Sequence, residues 1–251
     1  MGVNAQYGRM VMLDVAAVAV LTDNYAWLIH NAATGETAAI DPSVAEPVLD
    51  AAAAKGWSLT QVLNTHWHPD HTGGNEGIRA ATGCAITAPA EAQRVSHVDR
   101  VVAEGGRVTI AGAEAVVWDI PAHTAGHVAY YLEAEGMIFV GDTMFAMGCG
   151  RLFEGTAEQM YANMQRIAAL PGEVRIYCGH EYTLANARFA AHAEPDNAAV
   201  SSRLTETERL REAGTITLPT TVAQERETNP FVRATNWQEF ARLRSEKDSF
   251  R

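Results

Sequence analysis

Apolar runs bounded by turn residues alternate with helical patterns over the first 180 residues of the chain. Such runs predict strands where they are short and rich in β-branched or aromatic residues. Interleaved strands and helices indicate an α/β class, and hairpin-length connections predict mixed sheets. The predicted strands are Met10–Val20, Tyr25–Asn31, Thr37–Asp41, Gln61–Asn64, Ala85–Ala88, Arg107–Ile110, Ala115–Ile120, Ala129–Glu133, Met137–Gly141 and Val174–Tyr177.

Helical patterns separate several of these strands. Pro47 suits the first turn of a helix, where its missing N–H is not needed. Thr156 and Gln159 form a T-x-x-Q capping box, and Met160 and Met164 follow at helical spacing, which predicts that they pack in the core. Helices are therefore predicted from Pro47 to about Lys55, after residues 72–75, and over residues 157–170.

The pattern changes after Glu181. Strand-like runs disappear, and Leu184, Ala187 and Ala191 recur at helical spacing. Residues 215–229 lie between two helical stretches and are polar and loop-like. Pro219 and Pro230 act there as helix breakers. We predict two parts: a large α/β domain over residues 1–180 and a small helical domain over residues 181–251.

Composition narrows the class of protein. The chain has 251 residues, 47% of them hydrophobic, and a net charge of −11, which disfavours a nucleic-acid-binding surface. No apolar run is long enough to predict a transmembrane helix. Cys84, Cys149 and Cys178 show no C-x-x-C spacing, which favours reduced thiols. We expect a cytoplasmic monomer with a small-molecule substrate and with neither a nucleic-acid nor a membrane partner.

The run Thr-His-Trp-His-Pro-Asp-His at residues 65–71 carries the strongest chemical signal. Three imidazoles and a carboxylate this close would repel when protonated, and burying them unpaired would be costly. A divalent metal removes both problems. The predicted ligands in this run are His66, His68, Asp70 and His71.

Further ligand-type residues follow the ends of other apolar segments: His123 after Ile120, Asp142 after Val140, and His180 after Tyr177. Sites in α/β sheets gather at the carboxyl ends of strands, so these residues should converge at one edge. His127 is predicted to be a hydrogen-bonding neighbour, not a ligand.

The spacing favours two metal ions, because Pro69 turns the chain between His68 and Asp70. One ion is predicted to take His66, His68 and His123, the other Asp70, His71 and His180, with Asp142 bridging. Two ions about 3.5 to 4 Å apart can lower the pKa of a shared water to near 7, which favours hydrolysis by hydroxide. We predict catalytic roles for Asp142 and for Asp70, which would orient the hydroxide. The oxygen and nitrogen ligands favour zinc, with iron or manganese as alternatives.

These residues resemble the metallo-β-lactamase superfamily, whose pattern is T-H-x-H-x-D-H followed by a lone His, an Asp and a further His. The resemblance implies a four-layer αβ/βα sandwich with a dinuclear site at one edge. It also implies that residues 1–180 form the metal-binding catalytic domain and that residues 181–251 form a helical substrate-binding domain. Further segments carry a closer likeness, namely residues 22–25, 153–157, 178–183, 229–231, and 246–248 with Phe250. Through them the chain looks similar, over nearly its whole length, to the glyoxalase II (hydroxyacylglutathione hydrolase) family within this superfamily.

The resemblance implies hydrolysis of S-D-lactoylglutathione to D-lactate and glutathione, the second step of methylglyoxal detoxification. The glutathione contacts that it implies are Arg151, Phe153, Tyr182, Arg244 and Lys247. Phe153 is a departure, because many relatives carry tyrosine at this position. Losing that hydroxyl would weaken glutathione binding or indicate a different thiol carrier.

Two alternatives remain open at this point. A glutathione persulfide dioxygenase of the same superfamily would hold a single iron with two histidines and one aspartate, but it resembles this chain poorly after Tyr182. A non-catalytic sensor of metal or of glutathione conjugates would keep the fold without the activity. The intact ligand positions disfavour the sensor.

Overall fold

The computed structural model describes residues 12–250, so Met10 and Val11 of the predicted first strand lie outside the described residues. Two six-stranded sheets and a short hairpin form the framework. The first sheet contains, in spatial order, β1 (Asp14–Val20), β2 (Asn24–His30), β3 (Thr37–Ile40), β4 (Gln61–Leu63), β5 (Ala85–Pro89) and β6 (Arg100–Val102). The second contains β7 (Arg107–Ile110), β8 (Ala113–Asp119), β9 (Val128–Leu132), β10 (Met137–Gly141), β13 (Arg175–Cys178) and β14 (Thr220–Thr221), and the hairpin is β11 (Met144–Phe145) with β12 (Gly148–Cys149).

Helices flank the sheets and fill most of the chain after β13. They are α1 (Ala45–Ala54), α2 (Pro69–Thr72), α3 (Asn75–Thr82), α4 (Ala157–Ala168), α5 (Thr183–Ala193), α6 (Ala198–Glu212), α7 (Val222–Thr228), α8 (Pro230–Arg233) and α9 (Trp237–Ser249), with a 3₁₀ turn at Ala90–Arg94. Within residues 12–250, none of these helices combines the length and the apolar character needed to cross a membrane.

Both sheets are mixed, as predicted. In the first sheet β1, β2 and β3 are antiparallel, whereas β3 to β6 run parallel. In the second sheet the antiparallel strands β7 to β10 are followed by a parallel pairing of β10 with β13. The parallel strands matter for function because their carboxyl ends meet at one edge.

Alternating side chains of β2 show how the layers pack. Ala26 and Leu28 join a buried cluster with Val48 and Ala52 of α1, whereas Trp27 and Ile29 face the core shared with the second sheet. This alternation is the period of two expected for a strand that is buried on both faces.

On the far side of the second sheet, Met160 and Met164 of α4 are fully buried in the same core, as their spacing predicted. The four-layer sandwich is therefore confirmed.

Two helix boundaries refine the predictions. The capping box of Thr156 and Gln159 is formed in both directions, and α4 ends two residues before the predicted position. Helix α1 begins at Ala45, two residues before Pro47. The first four N–H groups of a helix have no intrahelical partner, so proline is tolerated at its third residue as well as its first.

The predicted loop over residues 215–229 is wrong in part. Thr220–Thr221 pairs with β13, and α7 follows with a capping box formed by Thr221 and Gln224. The strand is too short to show a periodic pattern. The buried face of α7 includes the carboxylate of Glu225, so its sequence lacks an apolar stripe. The strands β6, β11 and β12 were missed for the same reason of length.

One apolar core extends across residue 180. Phe231, Phe240 and Leu243 belong to the buried cluster that contains Met160 and Met164. The division into residues 1–180 and 181–251 remains a prediction, because no break in the core marks it.

Candidate metal centre and substrate cleft

The loop after β4 and the short helix α2 carry the first four predicted ligands. His66 lies in the loop, and His68 is the N-cap of α2, with Pro69 as its first residue. Asp70 and His71 then project from the first turn of the helix. A residue that precedes proline favours an extended backbone, and His68 has one. The chain then turns at Pro69, which separates His66 and His68 from Asp70 and His71.

The other three predicted ligands come from the second sheet. Asp142 follows directly after β10, His180 lies two residues beyond β13, and His123 lies four residues beyond β8. All three are buried. The structure thus brings the seven predicted ligands to one edge of the sandwich.

Their nitrogen and oxygen atoms form two neighbouring sets. In the first set the Nδ1 of His68 lies 3.1 Å from the Nε2 of His66 and 3.1 Å from the Nε2 of His123. In the second set the Nε2 atoms of His71 and His180 are 3.3 Å apart. Oδ2 of Asp70 lies 3.6 Å from the first of these nitrogens and 3.4 Å from the second. In a tetrahedral zinc site, with bonds near 2.1 Å, ligand atoms are about 3.4 Å apart, so both sets have suitable dimensions.

Asp142 lies between the two sets. Its Oδ2 is 3.4 Å from the Nε2 of His123 and 3.2 Å from the Nε2 of His180. Its Oδ1 is buried and has no hydrogen-bond partner among residues 12–250. A buried carboxylate oxygen without a hydrogen bond is costly unless a cation is near it. This oxygen and the nitrogen lone pairs of the surrounding histidines fit a metal ion.

The outward-facing nitrogens of four histidines are held by neighbouring oxygens. A partner on the outer nitrogen fixes the tautomer, so the inner lone pair is free for a metal. Three pairs are hydrogen bonds: His66 Nδ1 with Thr65 Oγ1 at 3.0 Å, His123 Nδ1 with the Arg151 carbonyl at 3.0 Å, and His180 Nδ1 with Asp23 Oδ1 at 2.8 Å. The fourth is an ion pair, in which His71 Nδ1 lies 3.1 Å from Asp41 Oδ2.

Sequence reasoning missed Asp41. It follows directly after β3, is buried, and accepts hydrogen bonds from the Thr65 backbone N–H at 2.8 Å and from the Thr65 hydroxyl at 2.7 Å. Asp41 was assigned to the end of a predicted strand. The rule that carboxylates past the carboxyl ends of strands are candidate site residues would have found it.

Two further neighbours orient ligands. The Nδ2 of Asn24 donates to Oδ2 of Asp70 at 3.0 Å. His127 donates from Nδ1 to the Val128 carbonyl, which leaves Nε2 to accept from the backbone N–H of Asp142 at 3.1 Å. His127 therefore lies beside the ligands in a hydrogen-bonding position.

The two sets differ in their proton affinity. Burial lowers the pKa of His66 well below its ordinary value and also lowers that of His68, so both rings are neutral. Burial disfavours the charged form of His71 and His180 too, but the negative charge of Asp142 outweighs this effect. The pKa of His71 is raised well above its ordinary value, and that of His180 to about 10.

The carboxylates show the opposite shift. Burial alone would raise the pKa of Asp142, but His71 and His180 hold it well below its ordinary value. For Asp70, too, burial is outweighed, here by the hydrogen bond with His180 and the charge of His71, and its pKa is lowered. Without a metal, protons on the second set balance the carboxylate charges. A metal would replace those protons.

A cleft of about 460 Å³ opens onto this centre. Its wall contains metal-ligand candidates from both sets, together with the five predicted substrate contacts. These contacts are Arg151, Phe153, Tyr182, Arg244 and Lys247. The structure therefore brings five of the seven ligand candidates and all five predicted substrate contacts to the wall of one cleft.

The predicted substrate contacts are held in different ways. Arg244 is 7% exposed and donates to the Cys149 carbonyl at 2.8 Å and to Asp248 at 2.9 Å, which leaves its buried Nε without a partner among the described residues. Tyr182 stacks on His180 at 4.6 Å between ring centroids. Phe153 is 59% exposed, and its ring lies 5.1 Å from that of His123.

Comparison with known proteins decides the family. A model of the metallo-β-lactamase superfamily matches residues 21–180, and one of the hydroxyacylglutathione hydrolase C-terminus matches residues 181–250. The chain is 48% identical over 256 residues to a hydroxyacylglutathione hydrolase of Rhodospirillum rubrum, covering 96% of this chain and all of that protein. The chain belongs to the hydroxyacylglutathione hydrolase family.

A second relative carries the same name, and a solved structure shares the fold. The hydroxyacylglutathione hydrolase of Methylococcus capsulatus is 48% identical over 233 residues, which cover 92% of this chain and 91% of that protein. Among solved structures, ETHE1 from Myxococcus xanthus is similar, with a TM-score of 0.72 and 25% identity over 96% of this chain and 92% of that one. The predicted family and enzyme class, hydroxyacylglutathione hydrolase, are confirmed.

Proposed function

We propose that this chain hydrolyses S-D-lactoylglutathione to D-lactate and glutathione, and that it accepts related S-acylglutathiones. We propose two divalent ions as its cofactor, with zinc as the preferred metal and iron or manganese as alternatives. The observation that carries the proposal is that one cleft contains metal-ligand candidates together with Arg151, Arg244 and Lys247.

The basic side chains of the cleft offset the negative net charge of the chain where an anionic substrate would bind. With a net charge of −11, the protein as a whole repels an anionic tripeptide. Arginine and lysine side chains in the cleft provide local positive charge for the carboxylates of glutathione. Binding there would place the thioester beside the metal-ligand candidates.

The ligand sets support a dinuclear site. His66, His68 and His123 would hold one ion, and Asp70, His71 and His180 the other, with Asp142 shared. When bound, the ions supply a nucleophile at neutral pH and polarise the thioester carbonyl.

The protein's own residues orient the reaction. Asn24 donates to Oδ2 of Asp70 at 3.0 Å, which holds this oxygen beside the Nε2 of His180 at 3.4 Å. Tyr182 covers one face of His180 and gives the cleft a flat wall. The leaving thiolate has a conjugate acid with a pKa near 8.5, so the reaction needs no dedicated general acid.

The test is loss of thioester absorbance with S-D-lactoylglutathione, measured with metal analysis of the same preparation. We expect turnover with close to two metals per chain, and loss of both in His68→Ala. The matched control is His97→Ala, because His97 is exposed and pairs with Asp99 away from the cleft. That control should keep both activity and metal.

Two outcomes would replace the proposal. Oxygen consumption with glutathione persulfide, one iron per chain and no thioester hydrolysis would favour the dioxygenase. Binding of metal and of glutathione conjugates without turnover of either substrate would favour a sensor. The cytoplasmic location and the monomeric state remain predictions.

A further inference from the structure

The β11–β12 hairpin connects the two functions of the cleft. Thr143 separates its first strand from Asp142, and Gly150 separates its second strand from Arg151. The Gly150 N–H donates to the Thr143 carbonyl at 3.1 Å and closes the base of the hairpin. Phe145 and Cys149 of the hairpin also line the cleft. The conformation of this hairpin therefore sets where Arg151 stands relative to Asp142.

Side chains from beyond residue 181 hold the hairpin along its whole turn. Each residue from Phe145 to Cys149 has one backbone group bound in this way. The contacts are Asn229 Nδ2 to the carbonyls of Phe145 at 3.3 Å and Gly148 at 3.0 Å, Asn186 Nδ2 to the Ala146 carbonyl at 3.1 Å, the Met147 N–H to Glu225 Oε2 at 2.8 Å, and Arg244 to the Cys149 carbonyl at 2.8 Å.

Glu225 is central to this set of contacts. Its carboxylate is fully buried, and its Oε2 accepts from the Met147 N–H and from Asn229 Nδ2, both at 2.8 Å. Its Oε1 accepts from Arg203 at 2.8 Å and from the Thr220 hydroxyl at 2.5 Å. Four donors from four positions thus fix a single carboxylate, and Arg203 balances its charge.

Met147 is the part of the hairpin that most needs support. Its φ is +58°, in the left-handed region that costs energy for a residue other than glycine. The bond from its N–H to Glu225 stabilises that conformation. Through Asn229, the same carboxylate also orients the amide that binds both sides of the turn.

We propose that Glu225 is a positioning residue for substrate binding. By fixing the Met147 turn and Asn229, it sets the position of Arg151 and of the Cys149 carbonyl that anchors Arg244. It acts on the thioester only through these residues. Asp142 is held independently, because it follows β10 and its N–H donates to His127. This inference rests on the proposed thioester hydrolysis.

The test compares Glu225→Gln with Glu227→Gln, an exposed glutamate on the same helix. Glu225→Gln removes the negative charge and replaces one acceptor oxygen by an amide NH2 group, which faces the same donors. We expect KM for S-D-lactoylglutathione to rise about tenfold in Glu225→Gln, the size expected when a displaced Arg151 or Arg244 loses one charged hydrogen bond to the substrate. The value of kcat and the metal content should stay within about twofold of the unaltered enzyme, which is the signature of lost uniform binding. Glu227→Gln should match the unaltered enzyme.

Other results would overturn the inference. An unchanged KM with a lowered melting temperature would make Glu225 merely structural, and a loss of kcat together with metal would place its effect at the metal centre. If Glu225→Gln does not fold, Glu225→Asp decides by the same criteria, because it keeps the charge beside Arg203 but is too short to reach Met147. An inactive unaltered enzyme with full metal would instead refute the proposed function.

Discussion

The carboxylate of Asp41 lies 3.1 Å from the Nδ1 of His71, on the opposite side of the ring from the nitrogen that faces Asp142 at 3.4 Å. A carboxylate in this position fixes the ring orientation and raises the basicity of the metal-facing nitrogen. Asp41 thereby connects the end of β3 to the metal centre without contacting the cleft.

We expect Asp41→Asn to weaken metal binding by about 10- to 100-fold, the usual cost of losing such a partner. The measurement is retention of zinc against a chelator of known affinity. Asp50→Asn is the matched control, because Asp50 is an exposed aspartate of α1. Equal retention in the two variants would show that Asp41 does not support the metal.

Phe153→Tyr should restore a hydroxyl at the mouth of the cleft. We expect KM for S-D-lactoylglutathione to fall about 2- to 10-fold with kcat unchanged, as one added hydrogen bond would produce. Phe153→Leu is the control, since it removes the ring and adds no hydroxyl, and it should not lower KM. If the tyrosine variant shows no gain, the hydroxyl has no partner on the bound substrate.

Lys247→Ala should raise KM about tenfold or more, because it removes a charged donor for a substrate carboxylate. The difference from the unaltered enzyme should narrow at high ionic strength, because salt screens the exposed part of this interaction. Steady-state kinetics at two salt concentrations measure both effects, and kcat should not change.

The chain provides a matched control for this substitution. Lys55 is its only other lysine, and it lies over the Trp57 ring at 5.0 Å, as Lys247 lies over Phe189 at 5.6 Å. Lys55→Ala thus loses a similar cation–π contact outside the cleft. If both variants changed KM equally, a general charge effect would explain the result and not a substrate contact.

Cys149 should make stability depend on pH above neutrality. Burial raises the pKa of this thiol to about 11, whereas an unfolded cysteine titrates near 8.5. The folded pKa is the higher one, so the contribution is complete below pH 8.5 and is lost as the pH rises towards 11. Between pH 8 and pH 10.5 the free energy of unfolding should therefore fall by about 2–3 kcal/mol less in Cys149→Ala than in the unaltered protein. Urea unfolding at pH 8 and pH 10.5 measures the difference, and parallel losses in the two proteins would contradict it.

The ligand candidates were predictable because their chemistry and their position after strands coincide in the sequence. The spacing of His66, His68, Asp70 and His71 favours a metal site, and the later candidates each follow an apolar run. Asp41 has no such neighbours, and only the fold shows that it approaches His71. Its hydrogen bonds with Thr65 join residues 24 positions apart.

The predicted substrate contacts could not be derived from the residues alone. Arg244 and Lys247 lie on one helix with a polar sequence, and such charges are usually solvated. Their part in the cleft depends on how α9 packs against the hairpin, which no local pattern encodes. The resemblance to a family supplied these positions, and the structure places them in the cleft.

The pairing of Thr220–Thr221 with β13 has a consequence for any attempt to divide the protein. A chain that stopped at residue 180 would expose the hydrogen-bonding edge of β13, beside an apolar surface that Phe231 and Phe240 now cover. Unpaired strand edges next to apolar surfaces promote aggregation. Exchanging residues 181–251 for those of a relative therefore also replaces the strand that pairs with β13 and the side chains that hold the β11–β12 hairpin. A chimaera would have to carry the matching β13 edge and the β11–β12 hairpin as well.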